Sequence, residues 1–250
     1  MNLLQKSRQY FSKKLSHSHP TAAERAYDLW SESYDQQPDN LMLALDEEIF
    51  SELIKPLNLK NKIIADIGCG TGRHWMKIFS QQPKKLMGFD VSNGMLKILQ
   101  QKFSWAETHL LGNNGLIHLK NDSCDFIFST LTIAHIKEAK KTLNEWNRVL
   151  KPGGEMVITD FHPVALAKGG KRTFVYQNKT LSVINYVHTI PELMEIADQL
   201  HLKVLQVTER IIDEKVKSYY EKNKALSVYD AWKGTPIIYG IHLKKTDAAL

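Results

Sequence analysis

Apolar residues alternate between two kinds of spacing along the chain. From residue 62 onward, short continuous apolar runs are separated by stretches whose apolar residues recur every three or four positions, a pattern typical of buried strands and helices in turn. The predicted strands cover about 62–68, 85–91, 108–111, 125–130, 155–161, 203–211 and 237–243, and the predicted helices 72–80, 93–103, 137–150, 191–201 and 217–223. This alternation predicts a three-layer α/β fold whose mostly parallel sheet carries helices on both faces.

Two further helices are predicted before this α/β core. Thr21-Ala22-Ala23-Glu24 has the spacing of a capping box and predicts a helix from Thr21 to about Tyr34. A second helix is predicted from Leu41 to about Ile54. We therefore divide the chain into an N-terminal arm (1–20), a helical cover (21–56) and an α/β domain (57–250).

Charge is distributed unevenly over these parts. The 250 residues carry a net charge of +6, yet residues 1–20 hold 4 basic and no acidic groups, and residues 21–52 hold 1 basic and 9 acidic groups. The rest has 28 basic and 18 acidic groups, so the three sums are +4, −8 and +10. The acidic second segment argues against a duplex-binding surface, which needs a continuous basic stripe.

Composition limits the class of protein. Charged residues at 24% and hydrophobic residues at 43% are ordinary globular values, which exclude wholesale disorder. The two cysteines, Cys69 and Cys124, cannot form a disulfide framework and fit a reducing compartment, so we expect a cytoplasmic protein. The sequence has no apolar run long enough for a membrane span, and no apolar segment typical of a secretory signal follows Met1.

The first strand of the α/β domain ends in a glycine-rich turn, Asp66-Ile67-Gly68-Cys69-Gly70-Thr71-Gly72. Glycine permits positive φ and lets a ligand approach the backbone closely. A dinucleotide fingerprint needs glycine or alanine where this chain has Arg73, which argues against a nicotinamide dinucleotide. Asp90 ends the next strand, where its carboxylate can accept both ribose hydroxyls of a nucleoside. Structural roles stay open as alternatives, with Asp66 stabilising the turn and Asp90 capping a helix.

These residues, with Gly88-Phe89-Asp90-Val91-Ser92 and Arg148-Val149-Leu150-Lys151-Pro152-Gly153-Gly154-Glu155, resemble the motifs of class I S-adenosylmethionine-dependent methyltransferases. The resemblance implies a Rossmann-like, seven-stranded sheet in the order 3-2-1-4-5-7-6. It implies S-adenosyl-L-methionine as cofactor and S-adenosyl-L-homocysteine as product, with Asp90 on the ribose and Val91 on the adenine. The cofactor residues that it implies are Tyr34, Asp66, Gly68, Cys69, Gly70, Arg73, Asp90, Val91, Asn113, Asn114 and Ser129.

Two parts of this implied site carry particular expectations. By resemblance, residues 27–35 form a helix that closes over the cofactor, with Tyr34 near the methionine carboxylate and Arg73 close by. Similar proteins begin the loop after the third strand with Gly-Asp, whereas this chain has Gly112-Asn113. The Asn113 carbonyl can accept the adenine amino group, without the charge that a carboxylate adds. A polar turn that contacts no ligand is the alternative.

Methyl transfer is an in-line displacement in which the cofactor supplies the activated leaving group, so the protein acts mainly by positioning. A general base is needed only when the acceptor atom must lose a proton. The catalytic candidates are His162 after the fifth strand, His188 in the segment beyond it, and His135 after the fourth strand. Each also has a plainer interpretation as a packed or solvated histidine. No metal site is predicted.

The segment 161–191 follows the fifth strand and is predicted to be a lid over the substrate cavity. Its basic residues are Lys168, Lys171, Arg172 and Lys179; it contains no acid and includes four aromatic residues and a predicted hairpin. We expect such a lid to suit an anionic, partly planar small molecule. A solvated basic loop is the alternative.

The sequence therefore predicts an enzyme that methylates a small-molecule acceptor at an O, N or C atom. Nucleic acid is disfavoured as a partner, because Phe128-Ser129-Thr130-Leu131-Thr132 stands where amino-directed enzymes carry an Asn/Asp-Pro-Pro-aromatic motif. The alternatives are a nucleic-acid or protein methyltransferase and a non-catalytic subunit that binds the cofactor or activates a partner. The acceptor and the oligomeric state are left open by the sequence.

Overall fold

The computed structural model describes residues 18–37, 39–112, 115–116 and 119–246. In chain order its strands and helices are β1 (His19–Thr21), α1 (Ala23–Trp30), α2 (Leu41–Ile54), β2 (Ile63–Ile67), α3 (Trp75–Phe79), β3 (Lys85–Asp90), α4 (Asn93–Lys102), β4 (Glu107–Leu110), β5 (Cys124–Thr130), α5 (Ala139–Val149), β6 (Leu150–Phe161), α6 (Pro163–Ala167), β7 (Thr173–Tyr176), β8 (Lys179–Val183), α7 (Ile190–Gln199), β9 (Leu202–Ile211), α8 (Lys217–Lys222), α9 (Leu226–Trp232) and β10 (Pro236–Lys245). Short 3₁₀ turns cover Ser31–Ser33, Ile133–His135 and Glu214–Val216.

The main sheet has seven strands in the order β4-β3-β2-β5-β6-β10-β9. The first five of these run parallel, and β10 is antiparallel to both β6 and β9. Numbered within the sheet, this is the predicted order 3-2-1-4-5-7-6, so the Rossmann-like fold is confirmed. The order reverses between β2 and β5, and parallel sheets bind ligands beyond the carboxyl ends of their strands at such a point.

The core lies on both faces of this sheet. On one face the buried side of α2, with Ile49, Phe50 and Leu53, packs against Phe128 and other strand residues. On the other face α5 and α7 cover the sheet. Helix α5 buries Leu143 and Trp146 at helical spacing, and each such side chain contributes about 1.5–3 kcal/mol when it leaves water.

A second, small sheet ties the N-terminal cover to the segment after β6. It has the order β1-β8-β7, in which β1 is parallel to β8 and the pair β7–β8 forms the predicted hairpin. Beneath it Trp30 stacks on Phe174 with ring centroids 4.7 Å apart. Met95 of α4 joins the same cluster, so α1 is held between the hairpin and the main domain.

The predicted capping box at Thr21–Glu24 is wrong. Thr21 belongs to β1, its hydroxyl donates to the His19 carbonyl, and the N-cap of α1 is Ala22 without a side-chain cap. Pairing of this segment with β8 takes precedence over the local helix signal. The capping box of the structure lies at Thr189 and Glu192, at the start of α7.

Several predicted boundaries also shift. Helix α3 begins at Trp75, three residues after the predicted start, because the glycine turn continues through Gly72. Strand β6 begins at Leu150, five residues before the predicted start at 155, and so includes Pro152, Gly153 and Gly154. The short elements β1, α6 and α9 were not predicted. Residues 1–17 of the predicted N-terminal arm lie outside the described residues. No described helix has the length and hydropathy that crossing a membrane requires.

Candidate active site

A cavity of about 840 Å³ opens at the carboxyl ends of β2, β3 and β5. This volume lies within the range of small-molecule and cofactor sites. Its wall includes the glycine turn, Asp90, α1, the 3₁₀ turn at Ile133–His135 and α5. The lining residues used below are Tyr27, Tyr34, Gly68, Gly70, Asp90, Val91, Leu111, Gly112, Leu116, Leu131, Thr132, His135, Glu138, Lys141, Glu145 and Arg148.

The glycine turn presents open backbone to this cavity. Gly68 and Gly70 have φ of +73° and +53°, a left-handed conformation that L side chains rarely adopt. A Cβ on Gly70 would meet no protein atom within 4 Å. The space beside Gly70 is therefore open, as the predicted contact of Gly70 with the cofactor requires.

Asp90 lies beside this turn at the end of β3 and is buried. One carboxyl oxygen accepts from the Gly70 N–H and the other from the Ser92 N–H, each at 2.8 Å. A carboxylate has about four lone-pair positions, so acceptor capacity is left for ligand hydroxyls. Burial raises the pKa of Asp90 to about 6, although these hydrogen bonds oppose the rise. The predicted N-cap role falls to Ser92, whose hydroxyl accepts from Met95 at the start of α4.

The adenine side of the predicted site is only partly described. Val91 is 38% exposed and lines the cavity together with Leu111, Gly112 and Leu116. This surface is apolar and suits the face of a planar ring. Asn113 and Asn114, the predicted partners of the adenine edge, lie outside the described residues.

The structure fits S-adenosylmethionine at the residues predicted to hold its nucleoside. The Asp90 carboxylate retains free acceptor positions, the face of Gly70 has no Cβ, and Val91 contributes an apolar wall. These three features surround one end of the same cavity. Of the described residues, no group of three or more His, Cys, Asp or Glu side chains is arranged to hold a metal ion.

Asp66, Cys69 and Ser129 lie below the turn rather than in the main cavity. Asp66 accepts from the Trp75 indole N–H at 2.8 Å, and burial raises its pKa to about 6. Burial raises the pKa of the Cys69 thiol well above its ordinary value. Ser129 is fully buried within β5. Asp66 and Cys69 line a small second cavity on the other side of the turn, together with Tyr34 and Arg73.

Arg73 is held by the N-terminal cover. Its guanidinium donates to Asp46 and to the Leu43 carbonyl of α2. Burial alone would raise the pKa of Asp46, but Arg73 and His74 hold it well below its ordinary value. This ion pair ties α2 to the helix that follows the glycine turn.

His135 is the one predicted catalytic histidine that lines the cavity. Its Nδ1 lies 3.0 Å from the Ile184 carbonyl, which can only accept, so Nδ1 carries the proton. Nε2 is then the acceptor for the Tyr27 hydroxyl at 2.8 Å. Burial lowers the pKa of His135 to about 4, which keeps the imidazole neutral near pH 7.

The other two predicted histidines are engaged elsewhere. His162 accepts from the Val164 N–H at Nδ1 and donates from Nε2 to Glu209 at 2.7 Å, which caps α6 and joins it to β9. His188 donates from Nε2 to the Ile136 carbonyl at 2.7 Å. Neither side chain reaches the cavity wall.

Sequence reasoning missed several cavity residues. Leu131 has φ of +53°, a left-handed conformation that is strained for a branched side chain, and it turns the chain from β5 into the cavity wall. Thr132 packs under the glycine turn, Glu138 is the N-cap residue of α5, and Lys141 and Glu145 come from that helix. Backbone strain and inter-element packing leave no mark on local composition, so no sequence signal identifies these residues.

Comparisons with known proteins agree with this geometry. Residues 65–158 match the family described as a methyltransferase domain. A tRNA U34 carboxymethyltransferase of Aliarcobacter butzleri is 28% identical over 74% of this chain and 64% of its own length. A malonyl-[acyl-carrier protein] O-methyltransferase of Marinomonas is 31% identical over 62% of this chain and 57% of its own length. The chain thus spans less than two thirds of each of these relatives.

A crystal structure shows the same fold. The S-adenosylmethionine-dependent methyltransferase of Mesorhizobium loti has a TM-score of 0.61 and 16% identity, covering 78% of this chain and 96% of its own. Residues 65–158 thus form a methyltransferase domain, and the strand order and the glycine turn with its adjacent carboxylate are similar to those of class I S-adenosylmethionine-dependent methyltransferases.

Proposed function

We propose that this protein transfers a methyl group from S-adenosyl-L-methionine to a small-molecule acceptor that is anionic and partly planar. The observation that carries the proposal is one cavity that is lined both by Gly70 and Asp90 and by the Tyr27–His135 pair. Gly70 and Asp90 suit the nucleoside of the cofactor. The part of the cavity beside Tyr27 and His135 is our proposed place for the acceptor.

The chain's own residues would act mainly by positioning. When bound, the cofactor supplies a methyl group on a positively charged sulfur. The acceptor atom forms a bond to the methyl carbon while the sulfur–carbon bond breaks, and sulfur keeps the electron pair. Residues that hold the reacting atoms in line can lower the barrier by about 7–11 kcal/mol.

An acceptor with an O–H or N–H must also lose a proton. The neutral Nε2 of His135 can take it through the Tyr27 hydroxyl, because Tyr27 passes its own proton to Nε2 as it receives the acceptor's. The lowered pKa of His135 makes it a weak base in the free protein. This favours an acceptor whose proton becomes acidic as the methyl group is transferred.

The charges around the cavity support a small acceptor over a nucleic acid. Glu138, Lys141, Glu145 and Arg148 along α5 alternate in sign, and Glu145 pairs with Arg148 at 2.7 Å. A groove that follows a phosphate backbone needs a run of unpaired cations. The relative named as a tRNA carboxymethyltransferase favours tRNA as the second candidate acceptor.

Binding tests the cofactor assignment directly. We expect wild-type protein to bind S-adenosylhomocysteine in a calorimetric titration, and Asp90→Ala to weaken it by about tenfold to a hundredfold because charge-assisted hydrogen bonds are lost. Asp198→Ala, at an exposed carboxylate of α7, is the matched control and should bind as wild type does. Unchanged affinity in a folded Asp90→Ala variant would contradict the position of the ribose, and a wild type that binds no cofactor would contradict the function.

Transfer of labelled methyl groups identifies the acceptor class. The protein is incubated with methyl-labelled S-adenosylmethionine and, in parallel, with low-molecular-weight metabolites, bulk tRNA and extracted protein. We expect the label in the metabolite fraction. Label confined to tRNA would overturn the small-molecule assignment in favour of the second candidate.

A further inference from the structure

Among the residues that the structure describes, the buried cation Arg172 has no counterion of its own. This residue lies directly before β7, and only 7% of its surface is exposed. Nη2 donates to the Tyr34 hydroxyl at 2.7 Å, whereas Nη1 has no hydrogen-bond partner among the described residues. No carboxylate oxygen of the described chain lies within 4.0 Å of the guanidinium. Buried charges are normally paired, because removing an ion from water is costly.

Aromatic rings surround this guanidinium without neutralising it. Its central carbon lies 5.8, 5.6 and 5.7 Å from the ring centroids of Tyr27, Trp30 and Tyr34. Cation–π contacts of this kind offset part of the desolvation, but they do not satisfy the two N–H groups on Nη1. The arrangement therefore has unused donors and unbalanced charge.

Two buried carboxylates, Asp160 and Asp46, interact electrostatically with Arg172 but accept hydrogen bonds from other groups. Asp160, near the end of β6, accepts from the N–H groups of Ala134 and Phe161 at 2.8 and 2.6 Å. Asp46 is taken up by Arg73, His74 and Thr159. Neither carboxylate is free to turn toward Arg172.

Arg172 does not line the cavity itself but lies directly behind two tyrosines that do. Its carbonyl accepts from Val183 N–H of β8 at 2.9 Å, which anchors it to the small sheet. The two tyrosines against which the guanidinium lies, Tyr27 and Tyr34, both line the cavity, and Tyr27 contacts His135.

Arg172 differs in this respect from the other basic residues of the lid. Lys168 points to α9, where it donates to the Ala231 carbonyl and to Thr235 at 2.9 Å each. Lys171 and Lys179 are exposed. The net positive charge of the lid thus reaches the interior through a single side chain.

We propose that Arg172 binds a carboxylate of the acceptor and selects acidic acceptors for methyl transfer. A guanidinium recognises a carboxylate through paired N–H donors, and the site excludes water, which strengthens the interaction. The inference rests on the proposed function and deepens it by naming the acceptor's charged group and its partner.

Probes of simple chemistry test this role. Four proteins are compared: the wild type, Arg172→Met, Arg172→Lys and, as a control at an exposed lid residue, Lys179→Met. Each is first titrated with S-adenosylhomocysteine and, separately, with 5′-methylthioadenosine. Each is then saturated with S-adenosylhomocysteine and titrated with benzoate or with its neutral analogue benzamide. We expect wild type and Lys179→Met to bind benzoate in preference to benzamide. Arg172→Met should weaken benzoate by about tenfold or more, with benzamide unchanged and Arg172→Lys intermediate.

The two adenosine ligands separate the possible sources of the carboxylate. We expect all variants to bind both ligands as wild type does. If Arg172→Met weakened S-adenosylhomocysteine but not 5′-methylthioadenosine, which lacks the amino-acid carboxylate, Arg172 would bind the donor and the proposal would be overturned. It would also be overturned if wild type had no preference for benzoate or if Arg172→Met kept that preference. A wild type that binds neither adenosine ligand would instead contradict the proposed function.

Discussion

Gly68, Gly70 and Gly72 all have positive φ, but a side chain at each position would have different surroundings. A Cβ on Gly68 would lie 2.0 Å from the Thr132 hydroxyl oxygen, and one on Gly72 would lie 3.1 Å from Leu99 and Phe103. The two outer glycines therefore make room for protein atoms. At Gly70 the missing Cβ faces open space instead.

This difference gives a prediction with an internal control. Gly70→Ala and Gly153→Ala place alanine at φ of +53° and +71°, and neither new Cβ meets an atom within 4 Å. Each should lower the free energy of unfolding in urea by about 1–2 kcal/mol, because the left-handed conformation is strained for alanine. Only Gly70→Ala should weaken S-adenosylhomocysteine binding, since Gly153 lies in the first part of β6, away from the cavity. Equal affinity in both variants would show that the ligand does not approach Gly70.

At the scale of elements, the start of a helix is decided by what else the preceding residues bind. Thr21 and Thr189 both stand three residues before a glutamate, yet Thr21 pairs with β8 and Thr189 caps α7. At Thr189 the hydroxyl accepts from the Glu192 N–H, and the Glu192 carboxylate accepts from the Thr189 N–H at 2.7 Å. The same local pattern thus has two outcomes.

Replacing each threonine by alanine shows how much each hydroxyl contributes to the stability of the protein. Thr189→Ala removes a cap and should lower the free energy of unfolding by about 1 kcal/mol. Thr21→Ala removes only a bond to the His19 carbonyl and should lower it by less. Urea unfolding monitored by circular dichroism measures both values. A larger loss in Thr21→Ala would mean that its hydroxyl stabilises the small sheet more than the cap stabilises α7.

The parallel strands and the residues at their carboxyl ends could be predicted, because short sequence segments identify them. Buried parallel strands read as continuous apolar runs, and topology brings their carboxyl ends together, which is why Gly70 and Asp90 could be assigned to one site. The strand β1 could not be predicted, because its three residues pair with β8 about 160 positions away. The Tyr27–His135 bond joins residues 108 positions apart, and no local pattern distinguishes His135 from His162 or His188.

At the scale of the whole molecule, three buried carboxyl groups lie at or next to the carboxyl ends of three parallel strands of the main sheet. Asp66, Asp90 and Asp160 end β2, β3 and β6, and burial raises their pKa values to about 6, 6 and 7. The folded protein therefore binds protons more tightly than the unfolded chain at these positions. Their contribution to stability is present below the unfolded pKa near 3.8 and is lost as pH rises through 6 to 7. The edge of the sheet that would receive a ligand is thus destabilised by its own charges.

Asp160 has the highest pKa of the three carboxyl groups, so it should contribute most to the change in stability near pH 7. As pH falls from 8 to 6.5, protonation of Asp160 should raise the free energy of unfolding of the ligand-free protein by about 1 kcal/mol. His135 has the opposite effect on stability, because its pKa in the folded protein is lowered to about 4, but most of this effect lies below pH 6.5.

The variant Asp160→Asn loses one hydrogen bond to Ala134 or Phe161 and should be less stable overall. Its free energy of unfolding should nevertheless change less between pH 8 and 6.5 than that of the wild type. Urea unfolding at these pH values measures how the free energy of unfolding changes with pH in both proteins. Equal slopes would contradict a raised pKa for Asp160 and would leave its carboxylate charged at pH 7, where it would balance part of the Arg172 charge and reduce the need for an anionic ligand.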